Sequence, residues 1–83
     1  MVMNKFQLIL LIESFIKSDY PAWSIGITNR PMEREVELKH PKNWHAWETD
    51  SEDNAKEIEE LFIQKGCKYV YRDTGLCVYI FLN

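Results

Sequence analysis

The first part of the chain carries apolar residues at helical spacing. Residues 4–17 are predicted to form a helix with a broad buried face, and its main apolar positions are Leu8, Leu11, Ile12, Phe15 and Ile16. Asn4 is placed to cap the N-terminus of this helix. The run 6–12 taken alone also fits a buried strand, and periodicity does not separate the two interpretations.

An alternating stretch follows a helix break at Pro21. Because Pro21 cannot continue a helix, we expect a new element after it, and residues 22–28 alternate apolar with small or polar side chains. This alternation predicts a strand. Gly26 lies inside that strand, where a glycine weakens pairing and often marks the close approach of another group. In the alternative interpretation, Gly26 only allows a helix to pack on the strand.

A short helix is predicted over residues 32–39. Asn29 is placed to cap it, and Pro31 suits its first turn, where a missing N–H costs little. Met32 and Val36 lie about one helical turn apart and are expected to face inward.

The best-defined pattern predicts a helix over residues 53–65, after a short aromatic strand over 44–49. The apolar stripe of this helix consists of Ala55, Ile58, Leu61 and Phe62. Ser51 offers an N-cap, while Thr49 and Glu52 have the spacing of a capping box. Two alternative caps are therefore expected at the start of this helix.

The C-terminal residues 67–83 are predicted to form a β-hairpin with residues 73–75 as its turn. The last strand is apolar at almost every position, so we expect it to be central in the sheet and covered on both faces. The predicted order is helix, strand, helix, strand, helix, strand, strand. This order indicates an α+β class, with helices flanking a small mixed sheet.

Composition restricts the class of protein. The 83 residues suffice for one domain over 1–83, and 46% apolar with 28% charged residues is typical of a folded chain. A formal net charge of −3 excludes a strongly basic nucleic-acid binder. Neither apolar run reaches the roughly 20 residues of a membrane span, and no leader pattern is visible. We therefore expect a cytoplasmic protein without a membrane partner, with Cys67 and Cys77 as small core hydrophobes.

Part of the chain resembles a known enzyme family, the GIY-YIG endonucleases. The positions that match the second motif of this family are Ile25, Gly26, Thr28 and, on the helix that follows, Arg34. Ala55 and Glu59 resemble the family's metal-binding helix, in which a Glu follows a small residue by four positions. The two matches together cover about half of the chain, residues 23–63.

The chain departs from the family pattern at two places. Ser24 stands where the second motif has its Tyr, and a helix is predicted where the first strand of the family should lie. The final strand reads like that first strand. We therefore hypothesise a circular permutation that supplies the first strand last, with Tyr79 in place of the first-motif Tyr. This hypothesis requires the final strand to lie beside residues 22–28.

The resemblance implies metal-dependent phosphodiester hydrolysis. Glu59 would hold Mg²⁺ or Mn²⁺, which prefer oxygen ligands, and Arg34 would neutralise charge on the phosphoryl group. Tyr79 would lie on the nucleophile side, and His40 is close to the position of a histidine that often follows the family's Arg. The remaining candidate binding residues are Gly26, Thr28, Arg30 and Lys39.

Each candidate also has a structural explanation. Arg34 can be a solvated charge or a weak partner of a neighbouring Glu. Glu59 belongs to an acidic run, which is usually a solvated helix face, and we favour that interpretation over a metal ligand. His40 suits a helix C-terminus through the helix dipole. The tyrosines expected to form a cross-strand cluster in the predicted hairpin are Tyr69, Tyr71 and Tyr79.

Two classes of function follow from these observations. The first is a metal-dependent hydrolase, and the second is a catalytically degenerate domain that acts as a small interaction module for protein or nucleic acid. The missing Tyr and the acidic charge favour the second class. Over residues 48–60, seven acidic residues oppose one Lys, so any nucleic-acid binding should be weak. A homodimer through the aromatic segment 44–47 is a further alternative.

Overall fold

The order of helices and strands follows the predicted pattern in the computed structural model, which describes residues 2–70 and 73–83. The helices are α1 (Lys5–Ile16), α2 (Pro31–Glu37) and α3 (Glu52–Lys65). The strands are β1 (Val2–Met3), β2 (Trp23–Thr28), β3 (His45–Thr49), β4 (Lys68–Tyr69) and β5 (Cys77–Leu82). The predicted α+β class is confirmed, and β1 is an addition to the predicted order.

The described strands form one mixed sheet with the order β1-β3-β5-β2-β4. The strand β5 lies between β2 and β3 and is antiparallel to both. The two-residue strands β1 and β4 pair in parallel with β3 and β2 at the edges. The prediction that the last strand is central is confirmed, because β5 is hydrogen-bonded to a neighbouring strand on each side.

One face of the sheet carries the main core beneath α1 and α3. The buried cluster on this face includes Leu8, Ile12, Ile25, Ile27, Ala55, Ile58, Phe62, Val78 and Ile80. The helices α1 and α3 contact each other, and α3 also contacts β2 and β5. Their apolar stripes therefore pack on the strand residues of alternate positions, as the predicted periodicities require.

The opposite face of the sheet is covered by α2 and by the aromatic side chain of Trp44. Tyr79 alternates with Val78 and Ile80 along β5, so its side chain projects to this second face. Its ring stacks on Trp44 at 4.8 Å between centroids, and Arg34 of α2 approaches its hydroxyl. Both faces of β5 are thus covered, which explains why this strand is apolar at nearly every position.

The predicted C-terminal hairpin is wrong. The strand β4 pairs with β2 rather than with β5, and β2 separates the two. The physical reason is that both edges of β5 are occupied by longer partners, β2 and β3. Gly75 serves the connection instead of a tight hairpin turn, because a Cβ there would overlap the backbone of Thr28 and Asn29. The predicted tyrosine cluster is therefore wrong for Tyr69 and Tyr79, because β2 lies between their strands. The third member, Tyr71, lies outside the described residues.

The predicted inward face of α2 is also wrong. Met32 is 82% exposed and Val36 is largely exposed, whereas the Arg34 side chain points toward the sheet. Asn29 does not cap this helix, because its Oδ1 accepts a hydrogen bond from the Leu76 N–H at 3.1 Å. The seven-residue helix therefore packs on the sheet through a charged residue that pairs with Glu37 on the same helix and with Asp73 elsewhere in the chain.

The caps of the longer helices agree with the sequence. Asn4 and Gln7 form a capping box at the start of α1. At the start of α3, Ser51 accepts a hydrogen bond from the Asn54 N–H at 3.0 Å, so the Ser51 alternative is confirmed. Thr49 donates to the Leu76 carbonyl instead. None of the described helices has the length and apolar character needed to cross a membrane.

Candidate functional site

Arg34 is the centre of a polar cluster between α2 and the entry to β5. Its side chain is 11% exposed, and its Nη2 donates to Oδ2 of Asp73 at 2.6 Å. Its Nε donates to Oε1 of Glu37 at 3.0 Å, and its Nη1 lies 3.5 Å from the Tyr79 hydroxyl. The interpretation of Arg34 as a solvated charge is therefore wrong, because its side chain is largely buried and paired. The pair with Glu37 agrees with the alternative of a partnership with a neighbouring Glu, whereas Asp73 is distant in sequence and could not be identified from helical spacing.

Tyr79 is packed inside the protein and is 0% exposed. It faces Gly26 directly across β2 and β5, and a Cβ on Gly26 would overlap the Tyr79 phenol. The glycine therefore allows the ring to lie across β2, and the expectation of a close approach at Gly26 is confirmed. Trp44 and Phe81 stack with Tyr79 on the same face.

Asp73 links the Arg34 cluster to the other side of the molecule. Burial opposes ionisation of this carboxyl, but hydrogen bonds from the Thr74 N–H, Arg34 and Thr28 together hold its pKa below the ordinary value. Asp73 is therefore a stably charged partner for the guanidinium. It also borders a pocket between α3 and the segment that precedes β5.

This pocket is open, has a volume of about 560 Å³ and combines two kinds of wall. Its apolar and aromatic wall consists of Ile27, Ile63 and Tyr69. Its charged lining consists of Glu52, Asp53, Lys56, Glu59, Glu60 and Asp73. Among the described residues, five carboxylates against one ammonium make the lining acidic, so its chemistry favours cations.

Glu59 is the most deeply buried acidic residue of this lining. It is 7% exposed, and its Oε2 is buried without a hydrogen-bond partner in the part of the chain that the structure describes. Burial, reinforced by the neighbouring charge of Glu60, raises the pKa of Glu59 to about 7. The interpretation of Glu59 as part of a solvated face is therefore wrong, although the other acids of α3 (Glu52, Asp53, Glu57 and Glu60) are exposed.

The remaining candidates lie at the surface or serve the backbone. His40 follows α2 and is exposed, with Nδ1 3.5 Å from Oε2 of Glu35. Arg30 is exposed and pairs with Glu33 at 3.2 Å, and Lys39 is exposed with a positive φ of 63°. Thr28 is buried, and its hydroxyl accepts a hydrogen bond from the Arg30 N–H at 3.1 Å. None of these four residues lines the acidic pocket.

The predicted site residues are thus divided between two places. Arg34, Tyr79 and Gly26 meet on the α2 face of the sheet, whereas Glu59 lies in the pocket beside α3. Asp73 is the residue shared by the two places. The family resemblance requires Arg34, Tyr79 and Glu59 to act on one substrate, but neither Arg34 nor Tyr79 lines the pocket.

The metal that the resemblance implies has one deeply placed ligand here, the carboxylate of Glu59. Among the described residues, no group of three or more His, Cys, Asp or Glu side chains is arranged to hold a metal ion. Lys56 also lines the pocket. Mg²⁺ commonly uses one or two carboxylates together with water and substrate phosphates, so Glu59 alone gives only a partial site.

The sequence patterns do not identify two residues of this region, Asp73 and Tyr69. Asp73 was interpreted as a turn residue, and its partner Arg34 lies 39 positions away, so no local spacing indicates the pair. Tyr69 was assigned to a hairpin cluster, but β4 places it on the pocket wall at 48% exposure. Both errors follow from the wrong hairpin, because the position of β4 decides which side chains surround the pocket.

The aromatic segment and the thiols are used in packing. Trp47 packs against Phe15 of α1, while Trp44 packs on Tyr79 across the other face. Burial raises the pKa of the Cys67 thiol to about 11, with a smaller contribution from Glu13, so Cys67 stays neutral. Its prediction as a core hydrophobe is confirmed, whereas Cys77 is only half-buried.

The hypothesis of a permuted first strand requires β5 to lie beside β2, and the two strands are paired. The family relationship itself remains a hypothesis from the sequence motifs. When the chain is compared with protein-family models, with curated proteins and with solved structures, no match is found.

Proposed function

We propose that this domain is a catalytically inactive interaction module that binds a protein partner through the face carrying the acidic pocket. The observation that carries the proposal is the internal use of Arg34 and Tyr79. Tyr79 is fully buried beneath Trp44, and the Arg34 guanidinium is paired with Asp73 and Glu37. Groups committed in this way stabilise the fold rather than meet a substrate.

Charge favours a protein over a nucleic acid as the partner. The pocket face carries Glu52, Asp53 and Glu60 at its rim, and the whole chain has a net charge of −3. Nucleic-acid binding depends on neutralising phosphates with Lys and Arg. An acidic face repels phosphates and attracts basic segments, so a partner with basic side chains fits best.

The proposal is tested by selecting binders from a displayed random peptide library. Peptides selected on the wild type should be enriched in basic residues and should lose binding to the rim-reversed variant D53K/E60K. The control E57K reverses an exposed acid of the same helix outside the pocket and removes its ion pair with Lys5, and we expect it to retain binding. Peptides that bind the rim-reversed variant as well as the wild type would contradict the proposal.

The alternative function is a divalent-metal-dependent phosphodiester hydrolase. The buried, unpartnered Oε2 of Glu59 favours this alternative, because such an oxygen can accept a metal. Labelled single- and double-stranded DNA and RNA should stay intact with Mg²⁺ or Mn²⁺ if the domain is inactive. Cleavage that is lost in E59Q but retained in E57Q would establish the hydrolase instead.

A further inference from the structure

Glu59 belongs to the lining of the acidic pocket, and it carries a buried carboxylate oxygen that has no hydrogen-bond partner among the described residues. Glu59 is more than nine-tenths buried, and its Oε2 has no hydrogen bond. A buried polar group without a partner carries a large desolvation cost, which a bound donor would remove. A positively charged ligand with N–H groups would therefore gain more interaction free energy from Glu59 than it gains from water.

We propose that this pocket binds the guanidinium group of an arginine side chain presented by a protein partner. The inference rests on the proposed function as an interaction module and names the chemistry that the module recognises. A guanidinium is planar, always charged and weakly hydrated, and its parallel N–H donors match a carboxylate. Glu59 supplies that carboxylate in the lining of the pocket.

The walls of the pocket fit the rest of an arginine side chain. Tyr69 is half-exposed on one wall, where a guanidinium can stack on its ring. Ile27 and Ile63 provide apolar surface for the methylene stem. The volume of about 560 Å³ is larger than one side chain needs, so the adjacent backbone of the partner can also enter.

The neighbouring ion pair shows that this rim already binds a guanidinium. Asp73 accepts a hydrogen bond from Arg34 at 2.6 Å and also borders the pocket. Arg34 thus occupies the Asp73 carboxylate from the α2 side, which leaves Glu59 as the deep acceptor for a second cation. A bare metal ion fits less well, because the described residues contain no group of three metal ligands.

The binding test uses two small compounds of similar shape, one with a charged guanidinium and one in which a neutral urea replaces one N–H donor group with a carbonyl oxygen. N-acetyl-arginine-N-methylamide is titrated into ¹⁵N-labelled protein, with N-acetyl-citrulline-N-methylamide as the neutral isostere. The arginine compound should shift the amides of Ile27, Glu59, Ile63 and Tyr69 with a dissociation constant on the order of 1–10 mM, since one side chain offers few contacts. The citrulline compound should produce no saturable shift.

Matched variants assign the binding to Glu59. E59Q keeps the shape of the side chain but removes its charge, and should weaken arginine binding roughly tenfold or more. E57Q removes an exposed charge on the same helix and should leave binding unchanged. Equal binding of the citrulline compound, or unchanged arginine binding by E59Q, would overturn the inference. So would saturation by Mg²⁺ at these amides without any response to arginine.

These outcomes separate the inference from the proposed function. Peptides that lose binding to the rim-reversed variant but need no arginine would leave the interaction module intact and overturn the guanidinium pocket. Cleavage of nucleic acid dependent on Glu59 would overturn the module itself.

Discussion

At the scale of single residues, the chain shows how burial decides what a charged side chain does. Arg34 lies on the short polar helix α2 and Glu59 on the amphipathic helix α3, and for both residues a solvated position is one of the alternatives predicted from the sequence. The Arg34 side chain is largely buried and paired, so its charge is compensated by Asp73 and Glu37. Glu59 is buried with one oxygen unpaired, so its charge is uncompensated. The first arrangement stabilises a fold, and the second is characteristic of a binding site.

Loss of the Arg34 side chain should therefore destabilise the protein. R34M leaves the Asp73 carboxylate without its guanidinium, and we expect the free energy of unfolding to fall by about 2 kcal/mol. R30M is the matched control, because Arg30 makes only an exposed pair with Glu33 and its loss should cost about 0.5 kcal/mol or less. Urea denaturation measures both values. A cost for R34M no larger than that for R30M would contradict this role.

At the scale of elements, β2 and β5 act as one unit through the pair of Gly26 and Tyr79. The missing side chain of one strand provides the space for the large side chain of the other. The short helix α2 then covers this face with Arg34 rather than with its apolar residues. The packing of the two sheet faces therefore differs: α1 and α3 bury apolar stripes, and α2 contributes an ion pair.

G26A should be destabilising because its Cβ overlaps the Tyr79 phenol. We expect a loss of about 1–3 kcal/mol in the free energy of unfolding, the usual range for overpacking. The same substitution in a Y79L background should cost little, since the leucine side chain does not reach across β2 to that space. A double-mutant cycle measures the coupling. Additive effects of the two substitutions would show that the ring does not lie over Gly26.

Removal of the apolar side chains of α2 should have little effect on stability. M32A and V36A change exposed positions, so each should alter the free energy of unfolding by about 0.5 kcal/mol or less. I58A on α3 is the matched core substitution and should cost about 2–5 kcal/mol. Thermal or chemical unfolding distinguishes these values. A core-sized loss for M32A would mean that α2 packs through the predicted apolar face.

Prediction from sequence succeeded where a periodic pattern was long and failed where pairing was distant. The helices α1 and α3 follow from their stripes and caps, and the central position of β5 follows from its continuous apolar run. The partner of β4 could not be predicted, because two residues contain no register information. The prediction of the inward face of α2 also failed, because Arg34 pairs with Asp73, which lies far along the chain. The pocket lining includes Tyr69 of β4 and Asp73, so it depends on both of these contacts between distant parts of the chain.

At the scale of the whole molecule, the sheet separates a structural face from a candidate binding face. The residues that resemble catalytic groups lie mainly on the α2 face, whereas the buried acid lies with α3 beside the pocket. Stability and binding are expected to depend on pH through this acid, and stability depends also on Asp73 in a lower range. The pKa of Glu59 is raised from 4.5 to about 7 by burial, so the folded state binds a proton that the unfolded state releases between these values.

The free energy of unfolding should accordingly fall as pH rises from about 4.5 to 7. We expect a loss on the order of 1–2 kcal/mol, less than the full shift implies, because the pocket is open to solvent. E59Q removes this titration and should flatten the dependence over the window. The lowered pKa of Asp73 acts in a separate range, where stability is lost as pH falls below its ordinary value of 3.8. An unchanged pH dependence in E59Q would contradict this assignment.

The most direct test of Glu59 as a buried, unpaired acid is a ¹³C NMR titration of its side-chain carboxyl in the wild-type protein. We expect a midpoint near pH 7, because the carboxylate is buried without a donor among the described residues. A midpoint near the ordinary value of 4.5 would contradict it. Such a result would mean that Glu59 is solvated, and the pocket would lose the unpaired acid on which the proposed recognition of a cation depends.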